Sequence, residues 1–271
     1  IIDDVKIYNY ARTPAQILED YGGQAPAVDS PVLSLDFDEG YGETAHDGSG
    51  FDNHGTLYPG TAGDNTATSA MWTLDGKVGK AVDFDGEDDS VAISNFQFPM
   101  TKQFSISQWI NWQTLATGKP VLAQGGDSQN SVLLQSDDTD SDELKICIAS
   151  GLTDSCTNYA VTEDANLGTG KWHHIQVSYN GNESADADQL KLYIDAEAKD
   201  LTFTGDIPAS ITDSSEGTEI GGDADIASYA DILIDQVRIW NYALSADEVE
   251  TVYNQGESAV LGSRGSDSSG D

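Results

Sequence analysis

The stretch LIDQVRIWNYALSADEVETVYNQG, residues 233–256, decides how the chain is read. Leu233, Asp235, Val237 and Ile239 alternate with Ile234, Gln236, Arg238 and Trp240, a period of two in strand-favouring residues that predicts a strand with one face more deeply buried. Ser245-Ala-Asp-Glu248 then makes a capping box, in which the serine hydroxyl and the glutamate carboxylate satisfy free amides at a helix start. Val249, Val252 and Tyr253 follow at helical spacing, and Gly256 is placed to stop the helix. A strand, a short turn and one packed helix are expected to close a domain.

A near-copy opens the chain. In IIDDVKIYNYARTPAQILEDYGG, residues 1–23, Ile2, Asp3, Val5, Ile7, Asn9 and Tyr10 recur as Ile234, Asp235, Val237, Ile239, Asn241 and Tyr242. Thr13-Pro14-Ala15-Gln16 matches the capping box, with proline at the first helical position and Gln in place of Glu. This self-similarity reads as one structural unit written twice, and only the later copy has a body in front of it. Residues 1–23 are therefore expected to be the last strand and helix of a preceding domain and 24–31 a Pro/Ala linker. Residues 32–256 would be one complete domain and 257–271 a flexible Gly/Ser/Asp linker. The chain reads as a piece of a tandem array.

Working inward from the closing unit, short runs bounded by turn residues read as strands: LSLDF, KAVDFDG, DSVAIS, FSISQWINW, KPVLAQ, SVLLQ, ELKICIA, CTNYAV, KWHHIQVSYNG, QLKLYID and KDLTFT. A long loop rich in Gly, Asp and Asn is expected from Gly40 to Gly79. Apart from the two capped turns, no segment sustains helical periodicity. The expected fold is all-β, a two-sheet antiparallel jelly-roll sandwich with a short C-terminal helix.

Composition narrows the partners. Lys and Arg total 12 against 47 Asp and Glu, a formal net charge of −35. A surface this negative repels phosphate backbones and anionic lipid, so neither nucleic acid nor membrane insertion is expected. The charge suits a soluble extracellular protein and calcium chelation equally. No run approaches the roughly 18 apolar residues of a membrane helix. Cys147 and Cys156 flank Ser150-Gly-Leu-Thr153; if LKICIA and CTNYAV form a hairpin about that turn, the sulfurs face each other across the ladder. The pair then reads as a disulfide of an oxidising, extracellular or cell-surface compartment, with two free thiols as the alternative.

The segments DFDEGYGETAHDGSGFDNHGTL, GKAVDFDGEDDSVAI, FSISQWINW, GKWHHIQVSYNG, LKLYIDAEAKD and LIDQVRIWNYALSADEV follow one another in an order and spacing that resembles the bacterial laminin G-like domains. Those belong to the concanavalin A-like lectin/glucanase superfamily and are related to the pentraxins. The resemblance covers residues 31–256, and residues 1–23 match the same family's final strand and helix. One departure is Ala196, where such domains usually carry glycine.

The resemblance implies two calcium sites, a hard cation needing several converging oxygens. A pentraxin-like site would use Asp127, Asn130, Asp223 and Asp225, although Gln129 stands where an aspartate is expected. A structural site would join Asp235, whose counterpart in the near-copy is Asp3, with Asp38, Asp47 and Asp85. The acidic run Asp137–Glu143 lacks the glycine and distal glutamate of an EF-hand and reads as a solvated hairpin tip.

Catalysis is not expected. Glycoside hydrolases of this fold place two carboxylates on one strand face, and no Glu-x-Asp-x-x-Glu pattern occurs. His173 and His174, after Trp172, have no nucleophile motif beside them and read as packing. Sugar sites in jelly rolls stack exposed aromatics on pyranose faces beside polar groups. Tyr229, in the loop after Asp225, and Trp72 and Tyr58, in the long Gly-rich loop, are the candidates, whereas Trp109, Trp112, Trp172 and Trp240 sit in strands and read as core. The expected function is a non-catalytic adhesion or glycan-binding module whose partners are a glycan or cell-surface ligand and neighbouring repeats. The alternatives are a structural stalk repeat and an accessory module of a secreted enzyme.

Overall fold

The computed structural model describes residues 30–94, 96, 102–126, 129–150, 156–211, 217–224 and 226–256. The expected segments 1–23 and 257–271, most of the 24–31 linker, and Asp3, Asp127 and Asp225 lie outside them.

The chain forms two large antiparallel sheets. In order, the strands are β1 (Leu33–Leu35), β2 (Thr44–Ala45), β3 (Gly55–Tyr58), β4 (Trp72–Thr73), β5 (Ala81–Asp85), β6 (Ser90–Ile93), β7 (Gln103–Trp112), β8 (Pro120–Gly126), β9 (Gln129–Ser136) and β10 (Leu144–Ile148). They continue as β11 (Tyr159–Thr162), β12 (Trp172–Asn180), β13 (Leu190–Ile194), β14 (Glu197–Ala198), β15 (Leu201–Thr204), β16 (Thr218–Ile220), β17 (Gly222–Asp223), β18 (Ser228–Tyr229) and β19 (Asp231–Trp240). Helices α1 (Thr68–Met71) and α2 (Asp186–Gln189) are single turns, and α3 (Ala246–Gly256) closes the domain. One sheet runs β14-β13-β12-β7-β19-β5-β4 with β1 also on β19; the other runs β15-β11-β10-β9-β8-β16-β6-β3-β2; β17 and β18 form a separate hairpin. The long loop expected from Gly40 to Gly79 therefore holds β2, β3, α1 and β4. Each of these spans only two to four residues, too short to leave a periodic signal.

The core lies between the sheets, where Phe84, Phe104, Ile106, Ile110 and Trp112 meet Leu122, Val132, Leu134 and Ile146, all fully buried. At about 25 cal/mol per Å² of apolar surface, such a layer supplies the main driving force for folding. Gln108 is buried in the same layer and carries an amide with no hydrogen-bond partner.

The closing strand departs from the simple alternation predicted for it. Ile232 and Ile234 point into the core, and so do Val237 and Ile239, but the register against β7 shifts between Asp235 and Arg238. The cause is a bulge in which Gln236 adopts a left-handed φ of 52°, an extra residue that resets the side-chain parity. Asp235 consequently faces outward opposite Trp109, not inward with Val237.

The helix forms as its sequence requires. Ser245 and Glu248 make the reciprocal capping contacts, with the Ser245 N–H and hydroxyl donating to Glu248 Oε2 at 2.8 and 2.7 Å. Val249 and Val252 of α3 pack with Tyr193, Trp240 and Leu244 on the outer face of the eight-stranded sheet, and Tyr253 stacks on Trp109 with centroids 5.4 Å apart. Trp109, Trp112 and Trp240 are buried and Trp172 half-buried; Trp109 and Trp240 lie under the helix and not between the sheets. His174 sits beneath the same helix, accepting or donating one hydrogen bond with Ser107 Oγ at 2.8 Å. Burial pushes its pKa down to about 3, so it stays neutral and serves packing.

Cys147 and Cys156 form a disulfide, but not across the ladder as the sequence suggested. Cys147 pairs with Tyr159, and Cys156 lies three residues before it in a left-handed conformation, φ 47°. The bridge ties the approach to β11 down onto the outer face of the nine-stranded sheet, where the cystine packs with Ala123, Leu133 and Tyr159. The Asp137–Glu143 run is a hairpin tip between β9 and β10, with Asp137 accepting hydrogen bonds from Thr139 and Asp140.

Candidate functional site

Antiparallel pairing gathers several chain segments at one end of the nine-stranded sheet. Strand β3 ends there at Tyr58, β6 begins at Ser90, β16 ends at Ile220 and β8 begins at Pro120. Tyr58 pairs with Ser90 and is half exposed. Beyond β16 the chain turns through Gly221, φ 81°, into the β17–β18 hairpin, which brings Tyr229 opposite Gly222. The tyrosine ring occupies the space a side chain would need: a Cβ on Gly222 would lie 2.4 Å from Tyr229 Cδ1. Glycine at 222 is thus what lets Tyr229 lie on bare backbone.

Carboxylates fix these loops. Asp88 accepts the Thr61 N–H at 2.7 Å and the Ala62 N–H at 3.1 Å, while Asp85 Oδ2 accepts those of Asp64 at 2.7 Å and Asn65 at 2.9 Å. The loop passes so close that a Cβ on Gly60 would meet Asp88 Oδ1 at 2.0 Å. Glu219 Oε2 accepts the Ala224 N–H at 2.7 Å, anchoring the hairpin, and Ser228 Oγ donates to the Gly118 carbonyl at 3.2 Å. Burial, then the charges of Glu219, Asp88 and Asp223, push the Tyr229 phenol above its ordinary pKa. Tyr229 is a neutral hydroxyl with an aromatic face beside a rim of acids.

Glu219 and Asp88 were not singled out from the sequence. Glu219 is the middle residue of the three-residue strand TEI, flanked by buried Thr218 and Ile220, and that short alternation was the one available signal. Across the outer face its ladder neighbours are Ala92 on β6 and Ala123 on β8, with Thr56 of β3 beyond Ala92. A half-buried carboxylate therefore stands on a floor of small side chains, next to the end where Tyr58 and Tyr229 lie.

The third aromatic candidate lies elsewhere. Trp72 is on the edge strand of the other sheet, its indole N–H donates to the Gly42 carbonyl at 3.0 Å, and its ring meets Phe37 edge-on at 6.5 Å. It lies at the sandwich edge, apart from Tyr58 and Tyr229.

The carboxylates nominated for calcium serve the fold's own amides. Asp47 accepts the Ser34, Ser49 and Asn53 amides, each at 2.9 Å; burial raises its pKa, but these bonds and the Ser49 hydroxyl outweigh it and hold the carboxyl below its usual value. Asp38 accepts the Lys80 N–H at 2.8 Å and Asp235 that of Val78 at 2.8 Å. Among the described residues no three His, Cys, Asp or Glu side chains gather as a metal-holding group. In the pentraxin-like set, Asn130 pairs with Gly125, whereas the hairpin carrying buried Asp223 departs where the Gly221 N–H meets the Val121 carbonyl. Those two points of β8 are four residues, about 13 Å, apart.

A cleft of about 340 Å³ lies on the opposite sheet, between α3 and the β13–β14 turn, lined by Asp195, Glu197, Asp247, Glu250, Tyr253 and Asn254 among others. Its aromatic, Tyr253, is already stacked on Trp109. Asp83 and Asp85 stand two positions apart on one strand, with burial and neighbouring acids raising Asp83 to about 6. Asp85 accepts hydrogen bonds from the amides of Asp64, Asn65 and Glu87.

Residues 85–250 match a family model described as the concanavalin A-like lectin/glucanases superfamily. No curated protein matches the sequence. Among solved structures, the receptor-binding domain of botulinum neurotoxin mosaic serotype C/D is similar at 16% identity and TM-score 0.60, covering 85% of this chain and 52% of that one. Domain 4 of AbnA, a GH43 extracellular arabinanase from Geobacillus stearothermophilus solved with arabinotriose, is similar at 18% identity and TM-score 0.54, covering 83% of this chain and 98% of that one. A sialidase from Trypanosoma rangeli is similar at 12% identity and TM-score 0.57, covering 83% of this chain and 32% of that one. At these identities the likeness is one of fold, and the chain spans about half the length of the toxin domain it matches.

Proposed function

Since the chain belongs to the concanavalin A-like lectin/glucanases superfamily, we propose that it is a non-catalytic carbohydrate-binding module of an extracellular protein. The observation that carries the reading is that Tyr58 and Tyr229 lie at one end of the nine-stranded sheet, with Asp88 and Glu219 acting on the Tyr229 phenol. Aromatic faces beside fixed polar groups are what saccharide recognition needs. An arabinanase domain of the same fold and nearly the same extent, solved with arabinotriose, lends support. The disulfide suits an oxidising compartment, and among the described residues no helix is long and apolar enough to cross a membrane.

The near-copy of the closing unit in residues 1–23 favours modules arranged in series, as in an adhesin or stalk. Calcium enters the reading only through the loop set Asp127, Asn130, Asp223 and Asp225, and calorimetric titration decides it: heat with a defined stoichiometry supports a site, and none removes calcium from the account. The function itself is tested on a glycan array with the parent chain, Tyr58→Ala and Tyr229→Ala. Signal that either substitution reduces at least tenfold is expected. An array blank for the parent chain, with and without calcium, would leave the purely structural stalk.

A further inference from the structure

The Tyr58–Tyr229 end holds a feature that sugar stacking alone does not use. Glu219 lies on the outer face between the small side chains of Ala92 and Ala123. One of its oxygens is oriented by the Ala224 N–H at 2.7 Å, so the group is held in place without waiting for a ligand. Asp88 is held likewise by the Thr61 and Ala62 amides. Both acids, together with Asp223, act electrostatically on the Tyr229 phenol after burial itself. The chain as a whole carries −35, so the long-range field agrees in sign with the local one.

Resting on the carbohydrate-binding reading above, we infer that Glu219 is the polar anchor of this site, and that its ligands are uncharged or amine-bearing saccharides, not carboxylated or sulfated ones. A fixed carboxylate accepts hydrogen bonds from sugar hydroxyls, and accepts them more strongly from an ammonium group. An anionic sugar brought to the same floor meets like charge in a partly desolvated setting, where repulsion is far stronger than in bulk water. Discrimination of this kind comes from the repelled ligand as much as from the accepted one.

The test is calorimetric titration with three trisaccharides of matched length, arabinotriose, a fully deacetylated glucosamine trimer and trigalacturonic acid, each at low and high salt. The glucosamine trimer is expected to bind about tenfold more tightly than the neutral sugar at low salt, an advantage that salt erodes, while trigalacturonic acid gives no heat. Glu219→Gln keeps an acceptor for the Ala224 N–H and removes the charge. It is expected to abolish the advantage of the amine sugar with the melting temperature essentially unchanged. Should the variant unfold, the salt series on the parent chain still decides the ligand class. Trigalacturonic acid binding as well as the neutral sugar would overturn the class, and an unchanged amine-to-neutral ratio in a folded Glu219→Gln would overturn the anchor. Heat from none of the three would go against the carbohydrate reading itself, and this inference would fall with it.

Discussion

Replacing Asp235 by asparagine isolates one buried charge in the framework. Asp235 is fully buried, with Oδ2 on the Val78 N–H and Oδ1 without a hydrogen-bond partner. Burial, reinforced by the nearby Asp38 charge, raises it to about 7. Against an ordinary aspartate near 3.9, that gap corresponds to about 4 kcal/mol favouring the protonated folded form. Because the folded-state pKa is the raised one, this contribution to stability is complete below about pH 4, is lost as pH climbs through 7, and is flat above. Between pH 5 and 8 the loss from this group is about 2–3 kcal/mol. An asparagine at this position would keep a carbonyl acceptor for the Val78 amide and cannot ionise. Urea unfolding followed by tryptophan fluorescence at pH 5, 6, 7 and 8, in chelator, should show Asp235→Asn more stable than the parent at pH 8 by about 2 kcal/mol, with the difference vanishing or reversing by pH 5. The same series in calcium shows whether a cation compensates the charge. A variant that is less stable at pH 8 in chelator, with the parent's pH slope intact, would refute the reasoning.

Three further outcomes are expected. Removing the disulfide by Cys147→Ser with Cys156→Ser frees the unfolded chain from a loop closed across a separation of nine residues and should lower stability by about 2–3 kcal/mol, measured by the urea midpoint. Ser245→Ala breaks the capping box and should cost about 1 kcal/mol, read as a lower urea midpoint with the circular dichroism of the folded state retained. Gly222→Ala drives a Cβ into the Tyr229 ring and should weaken saccharide binding while Trp72→Phe leaves it unchanged, a contrast that titration calorimetry with arabinotriose resolves.

The closing unit was legible because its information is local. The capping box, the helical spacing and the terminal glycine all act within a few residues, and the structure realises each. The bulge at Gln236 was not, since it falls where the strand stays paired with β7 on one side and passes from β5 to β1 on the other, a tertiary demand without a sequence mark. Trp240 shows the same limit: burial was readable from the strand, but which side of the sheet it faces depended on that bulge, whereas the outward face of Trp109 follows from the plain alternation of β7. The disulfide was read correctly as a pairing and wrongly as a ladder contact, because spacing fixes which cysteines can meet and not the register in which they do.

For the site, Tyr58 and Tyr229 could be nominated as aromatics in loop-rich stretches, yet their convergence follows only from the order β8-β16-β6-β3, which joins segments over 100 residues apart. Trp72 carried the same sequence signal and lies on the edge strand of the other sheet, bonded to Gly42 and against Phe37. Asp38, Asp47, Asp85 and Asp235 looked like ligands because acids suit cations; in the fold their oxygens hold turns in place, a use composition cannot distinguish. Glu219 had the weakest signal, one residue of a three-residue strand, and acts on the Tyr229 phenol.

The most direct measurement of the central claim is a nuclear magnetic resonance titration of the ring-labelled tyrosines with arabinotriose and the glucosamine trimer. Saturable shifts confined to Tyr58 and Tyr229 among the 11 tyrosines are expected, with their loss in the Tyr58→Ala, Tyr229→Ala double variant. Shifts centred on Tyr253 at the acidic cleft, or on Tyr41 near Trp72, would contradict that claim.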